Sequence, residues 1–181
     1  MVRFEVSETI TLRMLELADA AELFALVQKN RDYLRQWLPW LDSNTEQSHS
    51  EDFIKSTHKQ YNEELGFMCG IFSGGLLVGM CGFHPIDRLN FSVTIGYWLG
   101  EEFQGKRIVT SCVEFLISYA FQQLNLNKVC IPAAEFNFKS RAVSERLGLI
   151  NEGIDREAEY LYDHFVNHVR YSILRSEWQE R

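Results

Sequence analysis

Residues 98–124 constrain the fold of this chain more than any other stretch. They read W-L-G-E-E-F-Q-G-K-R-I-V-T-S-C-V-E-F-L-I-S-Y-A-F-Q-Q-L, the pattern of a strand end, a polar loop that contains glycine, and a long amphipathic helix. The apolar residues on one face of that helix recur at intervals of three and four: Val109, Cys112, Val113, Leu116, Ile117, Ala120, Phe121 and Leu124. The first turn of such a helix points unpaired backbone N–H groups and the positive end of the helix dipole at the loop. Residues 104–110 therefore predict an anion site, to which Lys106 and Arg107 add positive charge.

The length and composition of the chain predict one globular domain. Its 181 residues are enough to bury a full core, and we expect a single domain over residues 1–181. The sequence is 46% hydrophobic, yet no apolar run approaches the ~18 residues of a membrane span, which predicts a soluble protein without a membrane partner. The start M-V-R-F-E lacks the apolar core of a signal peptide, so we expect a cytoplasmic protein.

Charge and cysteine content argue against several classes of protein. The formal net charge of −7 disfavours direct nucleic-acid binding as the main role, because such binding relies on cationic contacts with phosphates. The cysteines lie in apolar strand or helix patterns without a C-x-x-C pair, so we expect reduced core residues rather than disulfides. They are Cys69, Cys81, Cys112 and Cys130. His164 and His168 are four apart but lie in a segment that reads as a hairpin, so we expect no metal site.

The order of the predicted elements indicates a mixed α+β fold with a partly antiparallel sheet. Strands are predicted over residues 10–15, 67–72, 76–83, 91–99 and 128–134, with a closing hairpin of 150–161 and 166–174. Helices are predicted from 17 to about 29 with Asp19 as the cap, within 30–42 up to Pro39, over 51–64, over the stretch described above, and over 138–146 with Asn137 as the cap. Residues 43–50 read as a loop.

Two local features bear on a ligand site. Pro132 lies inside the predicted strand 128–134, where it cannot donate a ladder hydrogen bond, so we expect this strand to part from its neighbour there and leave a gap for a ligand. Tyr33, Trp37 and Trp40 form an aromatic cluster. Such a cluster either lines a groove or fills core beneath a loop, and the sequence does not choose between the two.

Three segments carry a resemblance to a known family. G-Y-W-L-G-E-E-F-Q-G-K, residues 96–106, is similar to a strand followed by a pyrophosphate loop of the form Q/R-x-x-G-x-G/A. E-F-N-F-K-S-R-A-V-S-E-R-L-G, residues 135–148, is similar to the signature N-x-x-S-x-x-(V)-x-x-(R/K)-x-G-F, and A-E-Y, residues 158–160, lies in the closing hairpin. On these segments the chain resembles, over nearly its whole length, the Gcn5-related N-acetyltransferases (GNAT), and among them the bacterial ribosomal-protein N-acetyltransferases of the RimJ and RimL type.

The resemblance implies a GNAT acyl-CoA N-acyltransferase fold, with a twisted, mostly antiparallel sheet that is split between its fourth and fifth strands and flanked by helices. It implies acetyl-CoA as the cosubstrate, with no metal ion. The residues that it assigns to coenzyme binding are Trp98, Leu99, Gln104, Gly105, Lys106, Arg107, Ile108, Val109, Thr110, Asn137 and Ser140. At Arg107 the family usually has glycine, which suits a positive φ or a close approach to a phosphate, so the sequence leaves open whether arginine aids or impairs coenzyme binding.

The resemblance also implies how the chemistry is shared among residues. Acetylation needs a neutral amine, a polarised thioester carbonyl and a proton for the departing thiolate. Ser140 is implied as the general acid, Glu159 as the general base, and a backbone N–H near Trp98 or Leu99 as the group that polarises the carbonyl. Asn137 and Ser140 also suit a plain helix cap, and an exposed strand glutamate is commonplace. Direct attack in a ternary complex is favoured over an acetyl-cysteine, because buried thiols are poorly reactive.

The acceptor that the resemblance favours is the N-terminal α-amine of a protein, with a ribosomal protein among the candidates. An α-amine has a pKa of about 7.7–8.0, against about 10.4 for lysine, so near neutral pH it needs only a weak base. Two alternatives stay open: a small amine, such as a polyamine or an aminoglycoside, and a non-catalytic regulatory module that binds acyl-CoA. A homodimer or higher homo-oligomer is expected by resemblance only, with the last strands and the region of Trp37 and Trp40 as contact surfaces.

Overall fold

A computed structural model describes residues 2–179, so residues 1, 180 and 181 of the predicted domain lie outside it. The strands are β1 (Arg3–Glu5), β2 (Ile10–Arg13), β3 (Met68–Ser73), β4 (Leu76–Phe83), β5 (Ser92–Leu99), β6 (Lys128–Ala134), β7 (Ile150–Leu161) and β8 (His164–Leu174). The helices are α1 (Ala20–Lys29), α2 (Arg31–Arg35), α3 (Gln47–Asn62), α4 (Ile108–Gln122), α5 (Phe138–Arg146) and α6 (Arg175–Gln179). Short 3₁₀ turns occupy Leu17–Asp19, Leu41–Ser43 and Glu101–Phe103.

The strands form one eight-stranded sheet in the order β1-β2-β3-β4-β5-β6-β8-β7. Between neighbouring strands of this sheet, only β5 and β6 run parallel. The predicted mixed α+β class and the antiparallel meander of β3, β4 and β5 are thus confirmed. No helix within residues 2–179 is both long and apolar enough to cross a membrane.

The sheet splits where the sequence predicts it: the fourth and fifth predicted strands are β5 and β6 of the structure, because β1 was not predicted. Strands β5 and β6 pair only from Ser92↔Lys128 to Thr94↔Cys130. Beyond Thr94, β5 keeps its pairing with β4, and beyond Cys130, β6 keeps its pairing with β8, so the two strands diverge between two intact half-sheets. Pro132 lies on β6 just past the last pair, opposite Arg170 of β8. A residue without an N–H is tolerated at this point because the β5–β6 ladder has already ended.

The split leaves backbone groups of β5 without a β6 partner. The amide of Gly100 donates to Val78 on the β4 side, whereas the carbonyl of Phe91 accepts from Asn127 and Lys128 on the β6 side. Because successive residues of a strand point their backbone polar groups to opposite edges, the amides of Tyr97 and Leu99 face the split. The amide of Trp98, which pairs with Met80, faces β4.

Helices cover the two faces of the sheet unequally. Successive residues of β3 and β4 belong to two separate apolar clusters, which places the clusters on opposite faces. Helix α4 contributes to the larger cluster on one face of the sheet. Helices α1 and α3 contribute to the smaller cluster on the other face, where they cover the N-terminal strands. The predicted apolar face of α4 is buried at Cys112, Val113, Leu116, Ile117, Ala120 and Phe121.

Several predicted boundaries are wrong. The predicted loop over 43–50 is helical from Gln47, because Glu46 and His49 form a reciprocal capping box that starts α3 four residues early. Strand β8 begins at His164 rather than at residue 166. Strand β1 and helix α6 were not predicted, since three and five residues are too few for a periodic pattern. Asp19 does not cap α1 with its side chain: its carboxylate accepts from the Glu16 amide and pairs with Arg13 at 2.7 Å.

Candidate active site

The loop before α4 has the geometry of an anion cradle. Gly105 and Arg107 have positive φ values of 73° and 60°, and Arg107 is the residue that precedes the first turn of α4. Its side chain does not cap the helix, so the amides of Ile108, Val109 and Thr110 keep the unpaired donors of a helix start. Position 107 therefore has the left-handed backbone for which glycine is favoured, as the sequence pattern implied.

The space against this loop is open to a ligand. A Cβ placed on Gly105 would meet no heavy atom of the described chain within 4 Å, its two neighbours in sequence aside. The loop borders a cavity of about 640 Å³, whose lining includes four cations and, among the described residues, no carboxylate. The cations are Lys106, Arg107, Lys139 and Arg146. In a chain with a formal net charge of −7, this local excess of positive charge suits a polyanion such as the diphosphate of coenzyme A.

Helix α5 braces the cradle from the far side of the cavity. Lys139 donates to the Gln104 side chain at 2.8 Å, and Arg146 donates to the Thr110 hydroxyl at 2.9 Å. These two cations are seven residues apart, two helical turns, so they share one face of α5. The sequence reasoning missed both, although this spacing was a signal that would have found them.

A second cavity, of about 850 Å³, lies beyond the split. Its charged lining has the opposite sign: it contains the carboxylates of Asp52 and Glu159 and, among the described residues, no lysine or arginine. Trp40 and Trp98 form part of its wall with ring centroids 6.3 Å apart. The cavity also contains Ser50, whose hydroxyl oxygen is buried without a hydrogen-bond partner in the described chain. An acidic, aromatic-walled cavity with an unpartnered polar atom suits a cationic organic ligand such as an amine.

The aromatic cluster of the sequence lines these cavities. Trp37 borders both cavities. Trp40 borders the acidic cavity, that of about 850 Å³, and Tyr33 borders the basic cavity, that of about 640 Å³. Of the two roles that the sequence left open, the lining of a groove is therefore the observed one.

The two cavities meet at the divergence of β5 and β6. The residues common to both linings are Trp37, Leu38, Tyr97, Trp98, Asn137 and Ser140. Asn137 caps α5 by accepting from the Ser140 amide at 3.1 Å, so the capping role weighed for these residues is real, and the cap places both at the junction. The Tyr97 hydroxyl lies 3.0 Å from the Ser140 carbonyl, to which it donates, and 3.1 Å from the Ser140 hydroxyl. Burial raises the pKa of Tyr97 above its usual value, so this hydroxyl stays protonated.

Glu159 lies in the acidic cavity beside a histidine that the sequence reasoning did not assign. Its Oε2 is 3.3 Å from Nε2 of His168, and the two side chains are 29% and 20% exposed. No group of three or more metal-ligating side chains occurs within residues 2–179. The carboxylate and imidazole of Glu159 and His168 can accept a proton in the acidic cavity while the cations of the other cavity hold an anionic ligand.

The predicted site residues fall into one continuous region. All eleven residues assigned to the coenzyme line the basic cavity, whereas Glu159 lines the acidic cavity and Ser140 stands at the junction. The reasoning from sequence missed Tyr97 and His168, whose roles depend on contacts with residues distant in the chain.

Comparison with known proteins assigns the chain and its fold to one family. Residues 9–150 match the model of the acetyltransferase (GNAT) domain. The chain is 39% identical over 180 residues to the putative ribosomal N-acetyltransferase YdaF of Bacillus subtilis (strain 168), covering 99% of this chain and 98% of that protein. It is 30% identical over 159 residues to the ribosomal-protein-serine acetyltransferase of Escherichia coli (strain K12), covering 88% and 89%.

Solved structures agree with this assignment. RimL, a ribosomal L7/L12 alpha-N-protein acetyltransferase solved in complex with coenzyme A, matches with a TM-score of 0.91 at 27% identity, covering 96% of this chain and 98% of RimL.

Proposed function

Because the chain belongs to the acetyltransferase (GNAT) family and is an N-acetyltransferase, we propose that it moves the acetyl group of acetyl-CoA to the N-terminal α-amine of a protein. One observation carries the proposal: a basic cavity and an acidic cavity meet at the split between β5 and β6. The polyanionic coenzyme fits the basic cavity and the cationic amine fits the acidic cavity. The acetyl group is transferred where the two cavities join.

The coenzyme site is proposed to consist of the cradle and its braces. The amides of residues 105–110 and the side chains of Lys106, Lys139 and Arg146 hold the diphosphate by charge and hydrogen bonds. Bound in this way, acetyl-CoA supplies an activated thioester. The open backbone edge of β5 lies between the cradle and the acidic cavity, and it supports a coenzyme that runs along this edge with its acetyl end at the junction.

Groups at the junction are proposed to stabilise the charges that develop during transfer. The amide of Leu99, with that of Tyr97 as a second donor, faces the split and polarises the thioester carbonyl. Ser140 donates a proton to the departing thiolate, and the contact with the Tyr97 hydroxyl at 3.1 Å holds its oxygen in place. Tyr97 itself is a positioning residue, because its one hydroxyl proton is donated to the Ser140 carbonyl at 3.0 Å.

Glu159 is proposed to remove the amine proton, directly or through a water molecule. It lies in the acidic cavity that receives the amine. The amine attacks directly in a ternary complex, and an α-amine suits this site because a sizeable fraction of it is already neutral near pH 7.5.

A protein acceptor is proposed on two grounds. The acidic cavity, of about 850 Å³, has room for the first residues of a peptide. Relatives that match nearly the whole chain are named as ribosomal N-acetyltransferases or ribosomal-protein-serine acetyltransferases.

An acceptor screen tests the proposal. The protein is incubated with acetyl-CoA and, separately, with peptides that have free N-termini, the same peptides with blocked N-termini, polyamines and aminoglycosides. Thiol release and the mass of each product are then measured. We expect acetylation of free N-termini only. Turnover of polyamines alone would contradict a protein acceptor, and coenzyme binding without turnover on any amine would indicate a regulatory acyl-CoA-binding module.

Two variants test the proposed chemistry. Ser140→Ala and Glu159→Gln should each lower kcat by about 10²-fold or more while the fold stays intact. Thermal unfolding and coenzyme affinity serve as the controls. Wild-type turnover by either variant would remove that residue from the mechanism.

A further inference from the structure

We infer that Glu159 acts through His168: the two form a carboxylate–imidazole pair in which His168 receives the amine proton and Glu159 stabilises the resulting imidazolium, and this inference rests on the proposed function. Nε2 of His168 lies 3.3 Å from Oε2 of Glu159. Both side chains line the acidic cavity, and both are partly withdrawn from solvent. The pair therefore stands where the acceptor amine enters.

The fold brings the two residues together through a bulge. Asp155 pairs with His168 and Glu159 with Val166, so three residues of β7 lie opposite one residue of β8. Glu157, at the centre of the bulge, has a positive φ of 50°. In a regular ladder Glu157 would face Val166, so the two extra residues move Glu159 into that place. Bulges of this kind re-aim side chains at functional sites.

The bulge is held by a hydrogen-bonded support. Asn167 accepts from the Glu157 amide at 2.9 Å and donates to Glu135 at 2.8 Å. Glu159, opposite Val166, and His168, two residues further along β8, then lie on the same face as diagonal neighbours, within reach of long side chains. A non-glycine residue with positive φ and a dedicated side-chain brace indicate a contact that the fold specifies.

The chemistry of the two groups sets their roles. An ionised carboxylate only accepts hydrogen bonds, so Nε2 of a neutral His168 must be the donor, and its second nitrogen, Nδ1, then carries a lone pair. Within residues 2–179 this Nδ1 has no hydrogen-bond partner. Among side chains, an imidazole (ordinary pKa about 6.5) matches an α-amine (about 7.7–8.0) more closely than a carboxyl group does (about 4.3). The imidazole is thus the better proton acceptor, and the carboxylate stabilises the imidazolium.

The other histidines of the acidic cavity are less suited to this role. His49 accepts two backbone amides at its Nδ1, at 3.2 Å each, as part of the α3 cap. His84 packs against Gly96, has no carboxylate partner among the described residues, and burial lowers its pKa, which makes it a weaker base. The titratable or charged groups that line the same cavity as His168 are Glu159, Asp52, His49, His84 and Tyr97. Asp155 pairs with His168 across the β7–β8 ladder, and Arg170 lies 3.5 Å from Asp155.

Atoms and protons balance in the transfer step. The nitrogen of the neutral amine bonds to the acetyl carbon, and the carbon–sulfur bond breaks. The proton that leaves the amine nitrogen goes to Nδ1 of His168, while Nε2–H of His168 keeps its hydrogen bond to Glu159. The thiolate takes a proton from Ser140, which is restored from solvent. The products are the N-acetylated acceptor and free thiol, and His168 then returns its proton to water.

The test compares His168→Gln with wild type. Glutamine keeps an N–H donor for Glu159 but offers no basic nitrogen, so it separates positioning from proton transfer. With the peptide acceptor that the wild type uses, we expect kcat to fall at least tenfold, with the KM for acetyl-CoA changed less than twofold. Protonation of the acceptor nitrogen should lower the wild-type kcat as the pH falls, and the variant should lack this pH dependence. The spectrum of the ¹⁵N-histidine-labelled wild type should show the Nε2–H tautomer at His168.

His164→Gln is the matched control. His164 is also paired with a carboxylate, Asp163 at 2.7 Å, but it is 59% exposed and outside the cavity lining, so its substitution should leave kcat and the pH profile unchanged. Three results would each overturn the pair alone. The first is a wild-type kcat with an unchanged pH profile in His168→Gln, the second is loss of the pH dependence of kcat in His84→Gln instead, and the third is an Nδ1–H tautomer at His168. A wild-type protein that acetylates no amine would overturn the proposed function and the pair together.

Discussion

Arg107 shows how one side chain departs from what its backbone favours. Its φ of 60° lies in the left-handed region, which costs a non-glycine residue about 1–2 kcal/mol. Arg107, which carries this strain, lies in the anion cradle directly before α4. Its guanidinium lines the basic cavity. A cation there offers a direct reason for the chain to tolerate the strain.

Replacing Arg107 by glycine should therefore separate stability from coenzyme binding. We predict that Arg107→Gly raises the free energy of unfolding by about 1 kcal/mol and Tm by about 2–4 °C, because the strain is relieved. The KM for acetyl-CoA should rise because a cation is lost, and acceptor choice should not change. Calorimetry and steady-state kinetics measure these effects.

Arg107→Ala is the matched control, because alanine removes the charge and keeps the strain. It should raise the KM for acetyl-CoA as the glycine variant does, without the gain in Tm. An unchanged KM in both variants would show that Arg107 does not contact the coenzyme.

The cysteines show how burial decides reactivity. Burial raises the pKa of Cys112 to about 12, and it raises the pKa values of Cys69 and Cys81 as well, so these thiols stay protonated at neutral pH. We predict that iodoacetamide at about pH 8 modifies none of the three in the native protein, and that activity is retained. Peptide mass spectrometry measures the modification, with the unfolded protein as the control. An acetyl-cysteine found after incubation with acetyl-CoA would contradict direct transfer.

At the scale of elements, a latch formed by Tyr162, Leu38 and Arg35 joins two segments that are distant in the chain. The Tyr162 hydroxyl, in the β7–β8 turn, donates to the Leu38 carbonyl at 2.5 Å. The Arg35 guanidinium stacks 3.8 Å from the Tyr162 ring centroid and makes two hydrogen bonds of 2.8 Å to Asp42. The latch ties the segment that follows α2, which lines both cavities, to the strand pair that carries Glu159 and His168.

Loosening the latch should affect the acceptor more than the coenzyme. We predict that Tyr162→Phe, which keeps the ring and loses one hydrogen bond, raises the KM for a peptide acceptor about two- to tenfold with kcat near wild type, equivalent to about 0.4–1.4 kcal/mol. Tyr160→Phe is the control, since Tyr160 is exposed and packs on Phe165 outside the cavity. An equal change in both variants, or a change confined to the KM for acetyl-CoA, would contradict this role.

Elements were predictable where their signals are local. Helix α4 was predicted from its apolar spacing, and helix α5 from its cap residue Asn137, because each signal lies within one segment. The start of α3 was missed because its first turn is polar and is fixed by a cap between Glu46 and His49. Strand β1 owes its place to distant aromatic contacts: Phe4 packs on Phe67, Phe115 and Tyr119 with centroids 5.0–5.6 Å apart.

At the scale of the whole molecule, the sheet ends in an unprotected edge. Strand β7 is the edge strand, and most of its twelve residues are exposed on both faces. Apolar side chains there, including Ile150, Ile154 and Tyr160, are more than half exposed. An edge of this kind invites pairing with another chain.

We predict that two copies associate through β7 and the adjacent β8. Light scattering should give a mass of twice the 21.2 kDa of one chain. Ile154→Lys, which puts a charge on the edge, should shift the equilibrium to monomer, whereas Leu89→Lys, at a fully exposed site away from the sheet edge, should not. A monomeric wild type at micromolar concentration would contradict the homodimer.

The resemblance to a family implied eleven of the residues that line the basic cavity. The sequence by itself determined the mixed α+β class, the cradle of residues 104–110 and the gap marked by Pro132. Each is encoded within a short segment, by spacing, capping or the missing N–H of proline. Only the tertiary structure decided that Leu99 rather than Trp98 turns its amide to the split, that Tyr97 orients Ser140, and that His168 meets Glu159. These depend on strand register, on a bulge and on contacts between residues up to 43 positions apart, which no local pattern specifies.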